Sequence, residues 1–526
     1  MLNLTQSNYI TTQIQLPLNL EVIFKADDEV ITFNNLVKDI DFNKFFFKKD
    51  IYNTETRGRK KKSRANILKA ILFAFSIGIR STRDIESLCR HDTRFMFLLD
   101  GIDPPSHTTI NNTINSLVAN IDDVLVEINK KIMEYDQEVD PNIVYIDGTK
   151  LEAYANKYTF VWKKAVLKYR DKLILKIKKI LPKLNELLSK YDYPVIENKE
   201  YYDTSELLDI VIVLTSIIDK EGIPLVYGKG KRKDEVQRLF DAFEEYHNKM
   251  LEYSKHLKII GENRNSYSKT DHDATFMRMK DDYMRNGQLK AGYNMQIAIA
   301  NGYAMAIELY QDRADFSTFI PFLNHFDSLY GFYPKYPVAD AGYGSFDNYR
   351  FCMENNIELF QKYSMFSKEK EKKYKNNPFN KYNFKKDEEG NYICPNNKKL
   401  VYVYDKKMKN SVYENVYNKV YKCFECDVCP LREKCTTSKT GRTISVNEEF
   451  ETYKQIVRNN LESEEGIKLR VNRSIQVEGA FGMMKENMRY RRFSRRSKAK
   501  ARLEAILVAI GINISKFHNK KYRVIQ

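Results

Sequence analysis

Three carboxylates in this 526-residue chain stand at positions where an acid needs a reason. Asp147 closes the apolar run IVYID and is followed at once by Gly148, Thr149 and Lys150. Asp340 closes YPVAD ahead of the glycine-rich AGYGS, and Glu478 lies in the helical pattern RSIQVEGAFGMMK. They are 193 and 138 residues apart, so only a fold that gathers two strand ends and a late helix could bring them together. Two-metal phosphoryl transfer requires such a gathering, because bridging carboxylates hold ions that activate the attacking oxygen and steady the leaving one. Hard oxygen ligands suit Mg²⁺ or Mn²⁺ rather than a His/Cys metal. Each acid alone is more often a cap or a solvated side chain than a catalytic group. The surroundings of Glu478 add weight. Lys485 and Arg489 follow seven and eleven residues later, and at ~100° per residue all three share one helix face. Phe481, Met484 and Met488 fall on a neighbouring face, where core packing explains them.

The elements that would position these acids can be read from periodicity. Residues 1–135 read as mostly helical: a basic run, RGRKKKSR, enters the apolar ANILKAILFAFSIGIR, and STRDIESLCRHD opens with a Ser/Thr cap and an acidic first turn. After the Pro-Pro break comes another helix, capped at Ser106. A basic arm beside helix–turn–short helix is compatible with a helix-turn-helix reader of DNA, and equally with a helical bundle. A β-branched strand over Asn142–Ile146 ends at Asp147. Residues 161–284 then turn helical, with Val166, Leu173, Ile177, Ile180, Leu184 and Leu187 at helical spacing. YNMQIAIANGYAMAIELY alternates on both sides of Asn301-Gly302, which predicts a hairpin. A helix, the strand ending at Asp340, another helix and the strand candidate IELFQKYS follow. Residues 367–449 interrupt with a polar, Lys/Asn/Tyr-rich stretch, and the chain is helical again from about Glu448.

That second interruption carries a cysteine cluster. Cys394 is followed by Cys423, Cys426, Cys429 and Cys435, and paired C-x₂-C spacing with a later cysteine is zinc-ribbon-like. An iron–sulfur cluster would place its fourth cysteine after three residues, not five. Five candidates compete for four positions; Cys394, Cys426, Cys429 and Cys435 are preferred to Cys423. Cys89 and Cys352 sit in apolar helical contexts as core residues.

Hydrophobic residues make up 43% of the chain and the formal charge is +17, which points to a polyanionic partner or a generally lysine-rich surface. The stretch Lys485–Arg502 holds nine Lys/Arg against one acid, the density that phosphate-backbone contact needs. The N-terminus lacks a charged start followed by an apolar block. The longest apolar runs fall short of the ~18–20 residues of a membrane span. The reading is therefore a soluble, intracellular protein without a membrane partner.

The motifs DGTKLEAYANKYTFVWKK, TDHDATFMR, GYNMQIAIA, VADAGYGS and RSIQVEGAFGMMK together resemble those of bacterial insertion-sequence DDE transposases. The nearest group is related to the IS-four superfamily and has a zinc-binding insertion (IS eleven-eighty-two-like). The resemblance runs from about Arg57 to Ile514. It implies a multidomain α+β fold with a ribonuclease-H-like mixed β-sheet core, assembled from residues 140–160, 285–366 and 450–515. A helical insertion would occupy 161–284, a small zinc-binding insertion 367–449, and an all-helical DNA-binding domain 1–135. It maps the catalytic acids onto Asp147, Asp340 and Glu478 with two Mg²⁺ or Mn²⁺ ions. Lys485 fits the lysine of the glutamate motif. The arginine of that motif falls at Arg473 rather than at Ser474, and Val471 stands in the tyrosine's place. The implied function is binding of terminal inverted repeats, DNA cleavage and strand transfer to target DNA. The chain would work as a homodimer or higher oligomer on double-stranded DNA in the bacterial cytoplasm, associated with the nucleoid. Arg57, Arg59, Lys60, Lys61, Lys62 and Arg64 would contact DNA from the N-terminal side, and Arg473, Arg489, Arg491, Arg492, Arg495 and Arg496 from the C-terminal side. One Zn²⁺ would sit on the four cysteines. The rival readings are a nuclease of the same fold that cuts without joining, and an inactive or domesticated DNA-binding copy.

Overall fold

The computed structural model describes residues 24–47, 63–228, 230–279 and 287–523. Six helices come first: α1 (Glu29–Val37), α2 (Arg64–Ser76), α3 (Thr82–His91), α4 (Thr93–Leu99), α5 (His107–Ser116) and α6 (Ile121–Tyr135). Their starts follow from local chemistry. Asp28, Ser63, Ser81, Asp92 and Ser106 each cap a helix by accepting a backbone N–H of its first turn. The predicted helices of this region are present, and Cys89 is fully buried among them.

The central sheet has β1 (Ile143–Glu152) at its middle. The hairpin β5 (Leu289–Ala300) and β6 (Tyr303–Tyr310) flanks it on one side, β7 (Tyr336–Gly344) and β8 (Gln361–Tyr363) on the other, and β4 (Thr275–Arg278) joins the far end of β5. β1 pairs antiparallel with β5 from Tyr145↔Ile299 to Glu152↔Gly292, and parallel with β7 only from Ile143↔Tyr336 to Ile146↔Ala339. The hairpin turns at Asn301-Gly302 with φ of 46° and 77°, the left-handed pair that Asn-Gly supplies at little cost. Both strands that carry the aspartates run further than their β-branched segments predict. β1 continues five residues past Asp147 because β5 goes on pairing with it, and β7 continues to Gly344 alongside β8.

α10 (Phe319–Tyr330) and α11 (Phe346–Glu354) bracket β7. After residue 363 the chain leaves the sheet and returns as α12 (Glu448–Glu462) and α13 (Glu464–Gly482), a π-helical turn over Met483–Asn487, and α14 (Lys498–Arg523). α12 and α13 meet at a sharp corner where Ser463 caps α13. A Cβ on Gly466 would sit 2.9 Å from Leu461 Cα. α14 is almost wholly buried between the N-terminal helices and the sheet, and both share one hydrophobic core. A buried polar cross-tie fixes that junction. Asn513 Nδ2 donates to Asn129 Oδ1 at 2.8 Å, and Asn129 Nδ2 donates to the Ala304 carbonyl at 3.0 Å. Arg502 completes it with ion pairs to Glu308 at 2.6 Å and Asp122 at 2.7 Å.

Two modules interrupt the sheet. The first comprises α7 (Lys163–Lys190), α8 (Thr204–Lys220) and α9 (Glu235–Ile260) around a separate leucine- and isoleucine-rich core. Its stem is the two-stranded pair β2 (Phe160–Trp162) and β3 (Ser266–Ser268). The second is a five-stranded antiparallel sheet in the order β13–β12–β11–β10–β9, with β9 (Lys385–Lys386), β10 (Tyr392–Ile393), β11 (Lys399–Lys407), β12 (Tyr417–Lys422) and β13 (Thr443–Val446). Among the described residues, no helix is long and apolar enough to cross a membrane.

Candidate active site

Asp147 and Asp340 occupy the next positions on β1 and β7 after the last parallel pair, Ile146↔Ala339. Continuing that register puts both side chains on one face of the sheet, since side chains alternate along a strand. The strands part at this point. Each aspartate is held by backbone: Asp147 Oδ1 accepts the Gly148 N–H at 2.8 Å, and Asp340 Oδ1 accepts the Gly342 N–H at 2.7 Å.

Helix α13 covers that face. Asn472 lies near the Tyr145 hydroxyl, two residues before Asp147, and Arg473 Nη1 lies 3.6 Å from Asp147 Oδ2. Arg473 and Asp147 are only about 15% exposed, so the pair is shielded from solvent. The sequence-predicted arginine is thus at the first aspartate.

A third carboxylate, which sequence reasoning missed, completes this corner. Asp315 lies between β6 and α10, and its Oδ1 accepts from Asn294 Nδ2 at 2.8 Å and Gln296 Nε2 at 3.1 Å. It fills the gap where β1 and β7 part. A Cβ on Gly148 would meet Asp315 Oδ1 at 2.7 Å, and one on Gly342 would meet Asp340 Oδ1 at 3.0 Å. A Cβ at Gly148 would force the side chains of Gln296 and Asp315 to shift, and one at Gly342 would crowd Asp340. Tyr343 donates to Gln296 Oε1, and its hydroxyl is held well above the ordinary tyrosine range by burial and then by the charges of Asp315, Asp147 and Asp340. The signal that could have exposed Asp315 is its place just after the hairpin, but a lone acid in DRADFS carries no spacing rule.

Glu478 is placed differently. It lies on α13 five residues after Arg473 and is exposed. Among the described residues, no group of three or more His, Cys, Asp or Glu side chains is close enough to hold a metal ion. The expected sharing of one helix face by Glu478, Lys485 and Arg489 does not hold either. α13 ends at Gly482, Lys485 lies in the π-helical turn, and Arg489 is left-handed with φ of 51°. Lys485 sits 6.0 Å over the Phe481 ring, while Met484 and Met488 are buried as core residues.

The basic tail is likewise not a continuing helix. Residues 488–497 run as an irregular strap tied to the end of β1, where Phe493 N donates to the Glu152 carbonyl at 2.9 Å. Arg492 donates to the carbonyls of Ala153 and Ala155 and, with Arg496, lies over the exposed Tyr154 ring. Arg491 pairs with Glu486 at 2.6 Å, and Arg495 donates to Asn115 Oδ1 at 2.8 Å. The buried Glu504 carboxylate gathers the N–H groups of Ser494 and Arg495 and so shapes the strap. Arg492 stands five residues along β1 from Asp147, about 17 Å at strand rise.

Arg57, Arg59, Lys60, Lys61 and Lys62 lie outside the described residues. Arg64 opens α2, with its guanidinium 5.9 Å from the Phe46 ring. In the second module, burial holds the Cys435 thiol above its ordinary value, and Cys394, Cys426 and Cys429 add to that effect, so these four share one neighbourhood. Arg442 N donates to Cys426 Sγ at 3.3 Å and Asn396 Nδ2 to Cys429 Sγ at 3.4 Å. The four sulfurs do not close into a ligand set among the described residues. Cys423 is buried, with its thiol pushed up to about 11 by burial.

Comparison with known proteins adds two matches. Residues 393–518 match the family model of the transposase DDE domain, a segment that includes Arg473, Glu478 and Lys485 but neither Asp147 nor Asp340. Residues 18–116 match the transposase domain DUF772, which spans α1 to α5. No curated protein and no solved structure matches the chain. Two segments that match transposase family models thus bracket the sheet that carries the paired aspartates.

Proposed function

We propose that this protein binds the terminal inverted repeats of an insertion sequence, cleaves the phosphodiester bonds at its ends and joins the freed 3′-hydroxyls to target DNA. The observation that carries the reading is the pairing of Asp147 and Asp340 on one sheet face. They sit where β1 and β7 part, under an arginine of a helix that matches the transposase DDE domain. The sheet order β5–β1–β7–β8, antiparallel at the hairpin and parallel beyond β1, supports a ribonuclease-H-like core.

The donor set of the site fits hard divalent cations. Asp147 and Asp340 present carboxylate oxygens whose outer partners are backbone N–H groups and one arginine. Asp147, Asp340 and Glu478 would hold Mg²⁺ or Mn²⁺, which supplies activation of the attacking oxygen and charge for the leaving one. Asp315 keeps the strands apart at that point, and Arg473 and Lys485 supply cations for phosphates. The N-terminal helices read the element's end sequence, and the C-terminal strap follows the DNA backbone. The chain acts as an oligomer on DNA. Cys394, Cys426, Cys429 and Cys435 would hold one structural Zn²⁺. The N–H···S bonds to Cys426 and Cys429 are of the kind thiolate ligands accept.

The test is strand transfer with pre-cut terminal-repeat DNA in Mg²⁺. Joined products are expected. Cutting without joining would reduce the protein to a nuclease, and neither activity would leave a DNA-binding copy. Elemental analysis should find about one zinc per chain by the four-ligand logic of structural sites, and its absence would end the zinc assignment.

A further inference from the structure

On the far side of Asp340 from the hairpin, three cations converge with too few partners. Lys362 is the central residue of β8. That strand is held against β7 by the Ala339↔Gln361 pair and by an approach so close that a Cβ on Gly344 would lie 2.6 Å from Tyr363 Cα. Lys362 is half-buried and forms no hydrogen bond or ion pair among the described residues. Burial lowers its affinity for a proton, Arg473 and Arg470 lower it further, and Asp340 opposes them. Lys362 therefore lies within reach of Asp340, on the strand β8 pairs with, and of Arg470 and Arg473 on α13.

Arg470 stands one helical turn before Arg473 on α13. Its Nε is buried without an acceptor, its guanidinium lies 5.9 Å from the Phe366 ring, and its charge reaches Glu462. Arg473 Nη1 is also buried without a hydrogen bond, and its ion pair to Asp147 is long at 3.6 Å. If these cations served only to neutralise the aspartates, they would sit at contact distance from them. Among the described residues, one long pair, Arg473 to Asp147, joins these cations to the aspartates. The carboxylates are engaged elsewhere, Asp340 by Gly342 N–H and Asp315 by two side-chain amides.

A buried donor without a partner costs about 1–3 kcal/mol, and more when it is charged. Two such donors, Arg470 Nε and Arg473 Nη1, stand beside the half-buried Lys362 ammonium, and an anion that completed them would offset that cost. The complement is an anion with several acceptor oxygens, able to take a forked guanidinium and a point-like ammonium at once, which describes a phosphate group. Resting on the functional reading above, we propose that Lys362 and Arg470, together with Arg473, form a phosphate-binding subsite beside Asp340. It holds a backbone phosphate of the DNA strand that enters the site. β8 and the first half of α13 thereby join the DNA-binding surface.

The test uses the full chain and a labelled duplex of arbitrary sequence, with binding followed by anisotropy over a salt series. Losing one phosphate contact reduces the slope of log K against log[salt] by about 0.9. Lys362→Met and Arg470→Met should each show that reduction, with binding about 3–10-fold weaker at low salt, since the lost contact is electrostatic. Lys362→Met should also melt no lower than wild type, because an unpaired half-buried ammonium is replaced by an apolar chain of similar length. A wild-type slope in either variant overturns the subsite, whatever the melting temperature does. If the wild-type chain binds no duplex at all, the transposase reading fails and the subsite with it. If the wild type binds and the variants match it, only the subsite falls.

Discussion

Replacing Asp147 by Asn separates what the carboxylate does for the fold from what it does for chemistry. The amide keeps the side-chain shape and can still accept the Gly148 N–H, now 2.8 Å from Oδ1. What is lost is charge. At 3.6 Å from Arg473 the gross attraction is ~5 kcal/mol at an effective dielectric of ~20. Both partners are largely buried, so desolvation offsets most of it, and a net loss of about 1–2 kcal/mol of stability is expected, in line with hydrogen bonds to charged groups. Catalysis should suffer far more. Loss of a principal electrostatic group reduces turnover by at least ~10³-fold, about 4 kcal/mol of barrier. DNA affinity should hold within a few-fold or rise, because the change removes a negative charge near the phosphates and frees Arg473 to meet one. The assay is cleavage of terminal-repeat DNA in Mg²⁺ well below the melting temperature, with a mobility shift on the same samples. Near-normal cleavage would refute the metal-holding role of Asp147. Binding that falls with cleavage would show instead that the substitution had disordered the corner under α13.

Glu478→Gln should leave stability within about 0.5 kcal/mol, as expected for an exposed side chain, while cleavage falls by ~10²-fold or more; unchanged cleavage would remove Glu478 from the catalytic set. Gly148→Ala should destabilise by about 1–3 kcal/mol through overpacking, since the new methyl would meet Asp315 at 2.7 Å, and a wild-type melting temperature would contradict that packing. Glu86 is held at about 2, from 4.5, first by the His107 backbone N–H, then by the His107 ring and Arg90. A depressed acid stabilises the fold above its unfolded value and ceases to as pH falls through its folded one. The stability gap between wild type and Glu86→Gln should therefore be full above pH 4.5 and close towards pH 2. A constant gap across that window, measured by thermal melts, would contradict the Glu86–His107 link between α3 and α5.

The paired aspartates were legible because strands announce themselves by β-branching and an acid ending an apolar run is conspicuous. The hairpin was legible for a local reason too: Asn301-Gly302 adopts the two left-handed conformations that its residue types favour. The true extent of the strands was not legible. β1 passes through Gly148 and Lys150, poor strand residues by composition, because β5 supplies the partner ladder from 292 to 299. Tertiary pairing overrode propensity there. Asp315 and Lys362 were invisible for a related reason. Each acquires its position from a partner strand or a neighbouring glycine distant in sequence, and neither has a local pattern.

The face shared by Glu478, Lys485 and Arg489 failed on a different point. A shared face needs ~100° per residue throughout, and that rotation does not hold in this segment. In the π-helical turn at Met483–Asn487 the repeat widens, and by Arg489 the chain has left helical geometry altogether. What ends the helix is packing downstream. Tyr490 and Phe493 are buried in the core, and Glu504 on α14 captures the N–H groups of Ser494 and Arg495. The strap cannot remain helical and satisfy those contacts, because a helix would turn its N–H groups inward upon its own carbonyls. The arginines of the strap are consequently aimed by β1 and α14 rather than by α13. Their spread from Tyr154 towards Asn115 is set by anchors more than 300 residues away in sequence.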